Sequence, residues 1–282
     1  MVELLVTTSI LAVLGAVLFP VFKSAIDSAK RVNCLTNFRQ ISAAMMMYEA
    51  DYDEAVPPVN YEMVDVTGRG NDRTWVQTLL PYVGNFGPFT CPADTGRTDP
   101  PTATESPEVV GDPWATYYNA SLRSNLGYNY LYFSPLVKYP GTDWRPIPIR
   151  NSQISNPANT LAFIDSVYDR TEAGYPYGGG SWVVVPPCRY LRGSRNTADT
   201  FRLEGTVAYF GFQPVGWHPE SSLSWLVYGG AWPWHKGKFT VAFADGHVKS
   251  VSLGQLIDGC DFLPEWRGPI TSLEDYIWDI TR

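Results

Sequence analysis

Between Leu4 and Phe22 the chain carries no charged residue over 19 positions. As a helix rising about 1.5 Å per residue, that run covers roughly 28 Å, close to the hydrocarbon thickness of a bilayer. The pattern then changes without a break. Past Pro20, the residues Ile26, Ala29, Val32, Leu35, Phe38, Ile41, Met45 and Tyr48 recur at three- and four-residue spacing. Lys23, Asp27, Lys30, Arg31, Arg39 and Gln40 occupy positions between them. This is the period of one apolar face on a helix. Together the two patterns predict a single helix of about 50 residues, apolar all round over residues 1–22 and amphipathic over 23–55. Pro20 is a point where it bends or loosens, because proline removes one backbone hydrogen bond and crowds the preceding turn. The apolar stripe of the second half needs a cover, and the remaining residues, 56–282, are expected to supply it as a globular domain.

Beyond Pro57-Pro58 the periodicity shortens. TWVQTLLPYV predicts a short helix over Trp75–Val83 running into Pro81, and CPAD at Cys91–Asp94 opens a loop that continues through a proline-rich stretch to Pro113. Apolar runs at 160–164, 182–185, 206–210 and 223–227 are candidate strands. Near the end, KFTVAFADGHVKSVSL alternates apolar and polar residues on both sides of Asp245-Gly246. That dipeptide suits a two-residue type I′ turn, so the stretch predicts a β-hairpin. The fold class that follows is α+β: a long N-terminal helix packed on a loop-rich domain with an antiparallel sheet.

Composition narrows the function. The net charge is -7 and no basic run offers a footprint for phosphates, which excludes a nucleic-acid partner. The abundance of turn formers, 23 Pro and 24 Gly, favours irregular segments over long helices outside the N-terminal region. Cys34, Cys91, Cys188 and Cys260 show neither a CxxC pair nor a Cys/His cluster at zinc spacing. They read as two disulfides and so as an extracytoplasmic compartment. Sequence proximity favours Cys34 with Cys91 and Cys188 with Cys260. The first 22 residues lack the basic start and short apolar stretch of a secretory signal. Asn119-Ala-Ser121 matches a glycosylation sequon, a weak signal.

Catalytic signatures are sparse. There is no GxSxG elbow, Gly180-Ser181 in YGGGSW having the wrong spacing, and no HExxH; three histidines offer little for a zinc site. Asp51, Asp53 and Glu54 resemble a solvated or cation-binding loop more than a glycosidase pair. His235, Asp245 and His247 lie close in sequence, but strand neighbours alternate faces, so a turn is favoured over a His-Asp or metal site. No enzymatic activity is expected. The 10 Trp and 17 Tyr fill a core or a subunit contact, or, in loops such as GYPYGGGSW and WLVYGGAWPW, stack on sugars.

A glutamate followed by Leu-Leu-Val, the apolar run, a proline 17 positions after Glu3 and the stretch RVNCLTNFRQISAAMMMYEADYDEAVPP together resemble the N-terminal region of type IV pilins and type II secretion pseudopilins. His235, nine intervening residues and Asp245-Gly246 resemble the H-X9-DG signature of a bacterial group of prepilin-like proteins. WVQTLLPYVGNFGPFTCPAD, LGYNYLYF and NPANTLAFIDS look like that group's middle region. The resemblance implies a structural subunit of a helical filament, alternatively a secretion pseudopilin; a membrane-anchored glycan-binding protein is the rival from another class. Family members carry a basic leader, cut by a prepilin peptidase, ahead of the glutamate. A chain with Glu3 as its third residue is then expected to be mature or numbered from a late start. Assembly residues by the same resemblance are Glu3, Leu4, Leu5, Pro20 and Phe22, with Glu3 pairing with the N-terminal amine of a neighbouring subunit. A carboxylate in a bilayer costs roughly 2.5–3.5 kcal/mol, so it should face a partner. The implied partners are further copies of the chain and inner-membrane assembly machinery; the implied location is the inner membrane, then a cell-surface filament. Lys23, Lys30 and Arg31 alone would place the following side in the cytoplasm, whereas the cysteines place it outside. Pseudopilins often hold calcium, which makes Asp51, Asp53, Asp94 and Asp245 conceivable oxygen ligands; otherwise no cofactor is expected.

Overall fold

A computed structural model describes residues 2–64, 70–96, 117–142, 144–168, 178–191, 206–207, 217, 228–261 and 268–281. The fold is α+β. Helix α1 runs unbroken over Val2–Asp51, 50 residues with Pro20 inside it. Proline at position 20 leaves the Ala16 carbonyl without its usual main-chain donor. The hydroxyls of Thr7, Thr8 and Ser9 fold back onto carbonyls three or four residues earlier, at 2.7–3.1 Å, so these polar groups are satisfied without a partner outside the helix. At the other end Asp53 and Glu54 take left-handed backbone conformations, and the Glu54 N–H donates to the Glu49 carbonyl at 2.8 Å. That arrangement satisfies a terminal carbonyl and stops the helix before Pro57.

A hairpin of β1 (Asn60–Val64) and β2 (Gly70–Thr74) leads into α2 (Trp75–Val83), the helix expected there. Thr74 and Gln77 cap α2 reciprocally, and Gly84 ends it with φ 81°. The later strands are β3 (Leu126–Tyr128), β4 (Leu136–Lys138), β5 (Arg145–Pro146), β6 (Leu161–Asp165), β7 (Cys188–Leu191), β8 (Thr206–Val207), β9 (Phe239–Phe243), β10 (Val248–Val251) and β11 (Gly268–Ile270). The main sheet has the order β10-β9-β6-β3 and is antiparallel throughout. Strands β5-β4-β8 form a second antiparallel sheet, while β7 and β11 pair in parallel.

The second half of α1 lies against α2, β9 and β10. Its inward face is Cys34, Phe38, Ile41, Met45 and Tyr48, all buried. The first part of the expected stripe differs: Ile26 and Val32 are 55% and 59% exposed, and Ala29 is exposed too. Cover begins only at Cys34, because the side turned toward the domain before it is Lys30 and Asp27, one and two turns back. Behind the helix, Trp75 packs on Phe89, Tyr128 and Phe163 with ring centroids 4.8–5.9 Å apart and donates from Nε1 to the Trp182 carbonyl at 2.6 Å. Trp75, Trp217, Trp278, Tyr128, Tyr130, Tyr132 and Tyr276 are all fully buried, so these aromatics serve the core.

Two expectations need correction. The β9–β10 hairpin forms, but not on a two-residue type I′ turn. Phe243 N–H donates to the His247 carbonyl at 3.0 Å and Gly246 N–H to the Phe243 carbonyl at 2.9 Å, leaving a three-residue loop in which Gly246 has φ 88° and Asp245 does not have positive φ. The N–H groups of Ala244 and Asp245 donate to Thr160 and Pro157 instead, which ties the turn to that segment and leaves one left-handed position for glycine. The run at 182–185 is not a strand: Val183 makes a single parallel bridge to Tyr128, and the N–H of Val185 goes to Gly229. Of 206–210 only β8 lies within the described residues; 223–227 and the proline-rich stretch after Arg97 lie outside them.

Candidate functional site

Two features of the described structure carry functional information. The first is the leading half of α1. From Leu4 to Phe22 every residue but the half-buried Gly15 is exposed, with Leu4, Phe19 and Phe22 at 73%, 75% and 59%. The helix is long and apolar enough to cross a membrane, and among the described residues none of that window is buried. Glu3 lies in its first turn, exposed, where the helix dipole also favours a carboxylate. Pro20 and Phe22 lie on this uncovered stretch with Leu4 and Leu5, so the expected assembly residues fall on one continuous surface.

The second feature is buried. Cys34 on the inner face of α1, Cys91 in the loop after Phe89, Asp165 at the end of β6 and His235 ahead of β9 bring one ligand atom each to within 4.8 Å of one another. All four residues are buried, Asp165 completely. Cys34 Sγ lies 3.4 Å from Asp165 Oδ1, and Cys91 Sγ lies 3.6 Å from His235 Nε2. The other Asp165 oxygen accepts the Thr240 N–H at 2.6 Å. Cys91 is held by its own N–H, which donates to Asn125 Oδ1 at 3.0 Å. Asn37 of α1 donates to the neighbouring Thr90 carbonyl at 2.9 Å, fixing the loop against the helix.

Burial raises the Asp165 carboxyl to about 7 against the bonds from Thr240 that lower it. Burial, and then the charge of Arg31, lowers the His235 imidazole to about 4. The Cys34 thiol is pushed up by its hydrogen bond with Cys91, by burial and by Asp165. One edge of the cluster opens through His235 onto a cleft of about 430 Å³, bordered by Asp27, Lys30, Arg31, Trp234, Lys236 and Lys238.

The cysteine pairing expected from sequence is therefore half replaced. Cys188 and Cys260 are joined as a disulfide, whereas Cys34 and Cys91 are both free thiols. Their sulfurs are neighbours, but each also faces an oxygen or nitrogen ligand, a four-way arrangement rather than a paired one. The expected carboxylate set is dispersed over different partners. Asp51 accepts from Tyr82 Oη at 2.9 Å, Asp94 from Asn125 Nδ2 at 2.8 Å and from Gly179 N–H at 2.6 Å, and Asp245 contacts the His247 ring at 2.6 Å in the exposed hairpin turn. His235 and Asp245 do not meet: one enters the cluster and the other closes the turn. Gly246 reaches α1 as well, and a Cβ there would lie 2.8 Å from Met46 Sδ. The two ends of the H-X9-DG spacing thus touch the same helix at Cys34 and Met46, with β9 running between them. Asn119 sits in the short helix Tyr118–Leu122, and Ser121 of its sequon is buried and bonded to Tyr118 and Thr74.

Sequence reasoning missed the cluster because Cys34 and Asp165 are 131 positions apart and Cys91 and His235 are 144 apart, with no local ligand spacing. The available signal was indirect: each ligand falls in one of the stretches RVNCLTNFRQ, FGPFTCPAD, NPANTLAFIDS or the histidine signature. A family model described as "Protein of unknown function (DUF1559)" matches residues 23–87, which take in the covered half of α1, the β1–β2 hairpin and α2. No curated protein and no solved structure matches the chain.

Proposed function

We infer that the chain is a pilin-like structural subunit: an α-helical anchor holds it in a membrane, and the same helix then packs with those of other copies in a filament. The observation that carries this reading is the division of α1. One continuous helix has an apolar half with no cover and a second half built into the domain core. In water such a surface would aggregate, so it requires lipid or neighbouring helices. Small and apolar residues also recur past the apolar run on the side of α1 away from the domain, at Ala25, Ala29, Val32, Ala43, Met47 and Ala50, with the exposed Thr36, Arg39 and Gln40 between Val32 and Ala43. Small residues such as these let neighbouring helices approach closely, which supports a helix bundle over a simple anchor. The action is assembly rather than catalysis, with the described domain displayed on the outside.

Shearing cells that express the chain, pelleting the released material and examining it by electron microscopy and mass spectrometry tests this reading. Thin filaments composed mainly of the chain are expected. In the same assay Glu3→Ala should leave membrane insertion and folding intact while lowering filament yield several-fold, since an exposed first-turn carboxylate contributes little to the fold itself. Chain that stays wholly with the membrane fraction as a monomer would overturn the assembly reading and favour an anchored binding protein.

A further inference from the structure

We propose that Cys34, Cys91, Asp165 and His235 bind a zinc ion, which clasps the N-terminal helix to the globular domain. The argument begins with geometry. Zinc at about 2.3 Å from sulfur and about 2.0–2.1 Å from nitrogen or oxygen, in a tetrahedron, sets its ligand atoms roughly 3.3–3.8 Å apart. The Cys34–Asp165 and Cys91–His235 separations are 3.4 and 3.6 Å, and no pair among the four exceeds 4.8 Å. The donor set, two sulfurs, an imidazole nitrogen and a carboxylate oxygen, suits a borderline-soft ion and not calcium or magnesium, which take oxygen ligands.

Burial supplies the second argument. A carboxylate, two thiols and an imidazole lie together in the interior, and among the described residues no cation pairs with Asp165. A charged carboxylate or thiolate held there is stabilised by a paired cation or a metal. Zinc with two thiolates and one carboxylate leaves a single negative charge. Lys30, Arg31, Lys236 and Lys238 around the adjoining cleft are placed to offset it. The outer contacts are those of a positioned site: Thr240 N–H holds the second Asp165 oxygen and Asn125 holds the Cys91 backbone. The cleft beside His235 provides an entry path.

All four positions are taken by protein, so the ion is structural, with no open site for a water. Its ligands come from α1, the Cys91 loop, β6 and the segment before β9. These are the elements that meet where α1 leaves the domain, and Cys34 is the first fully covered residue of the helix. A cross-link there transmits load from the exposed half of α1 to the main sheet. It also keeps two adjacent thiols from oxidising to a disulfide in a compartment where Cys188 and Cys260 are paired. The proposal is independent of whether the chain assembles into filaments.

The test uses the full chain, extracted in detergent anaerobically with thiols blocked at lysis for one portion. Elemental analysis of the unblocked portion should find one zinc per chain, and exchange for cobalt should give the visible bands of a tetrahedral site with near-ultraviolet thiolate charge transfer. Cys34→Ser and Asp165→Asn should each lower zinc affinity at least tenfold. Chelation should lower the unfolding temperature of the wild type by several degrees. Should the variants fail to fold, the cobalt spectrum of the wild type still decides. A folded wild-type chain that takes up no zinc or cobalt overturns the proposal. So does an octahedral cobalt spectrum, or a Cys34–Cys91 disulfide in the thiol-blocked portion.

Discussion

Glu49 shows how one residue's environment sets a measurable property. It sits on the inner side of α1, buried, with Oε2 accepting from Asn151 Nδ2 at 2.6 Å and Oε1 without a hydrogen-bond partner. Burial raises its carboxyl from 4.5 to about 7, the Asn151 bond opposing and Glu54 adding to the shift. Because the folded state holds the proton more tightly, Glu49 costs the fold nothing below pH 4.5. The cost grows as the pH rises toward 7 and is complete above it. Glu49→Gln should therefore unfold at higher urea concentration than the wild type at pH 8, by of order 1–2 kcal/mol, and match it near pH 4.5. Urea titrations at the two pH values check this; equal midpoints at pH 8 would show that Glu49 is ionised without penalty. At this scale the sequence was a partial guide. Asp245-Gly246 was legible as a turn because glycine marks a left-handed position. The turn type was not legible, because it depends on where the N–H groups of Ala244 and Asp245 go, and those partners lie at Thr160 and Pro157.

At the scale of elements, periodic segments were legible and convergent ones were not. The 50-residue helix and Trp75–Val83 follow from local apolar spacing, and both form as expected. The face that α1 buries was read correctly from Phe38 onward and incorrectly at Ile26, Ala29 and Val32, because successive three-residue steps fall short of a turn of about 3.6 residues and carry those positions round to the side away from the domain. The Cys34, Cys91, Asp165 and His235 cluster needs four elements to fold before any ligand meets another, so no window of sequence contains it. The Cys188–Cys260 disulfide joins the start of β7 to Cys260, which makes an antiparallel bridge to Ile270 of β11, and closes a separation of 72 residues. Tyr276 reinforces the same junction, its hydroxyl donating to the Cys188 carbonyl at 2.9 Å and accepting from the Cys188 N–H at 3.1 Å. Cross-linking a loop of that length removes about 4 kcal/mol of disorder from the unfolded chain. Replacing both cysteines with alanine should lower stability by about 2–4 kcal/mol in denaturant titrations, and an unchanged midpoint would mean that the β7–β11 pairing and Tyr276 hold the junction unaided.

For the molecule as a whole, the uncovered half of α1 makes folding and assembly separable. Residues from Leu4 to Phe22 contribute no buried side chain to the domain, whereas Phe38, Ile41, Met45 and Tyr48 are core. Stability should thus reside in the chain from about Lys23 onward, and the apolar half should determine only where the molecule goes and what it packs against. Deleting residues 1–22 tests the division. The shortened chain should be soluble without detergent, run as a monomer on size-exclusion chromatography, and keep the near-ultraviolet circular dichroism and unfolding midpoint of the full chain in detergent. The hydrophobic effect predicts that outcome directly, since removing apolar surface that was never buried costs the fold nothing and removes the drive to associate. A shortened chain that aggregates would place a second association surface on the domain or on the remaining outer strip of Val32, Ala43 and Met47. One that unfolds would mean that the first half of α1 stabilises the second by helix continuity across Pro20, and that anchor and domain cannot be treated apart.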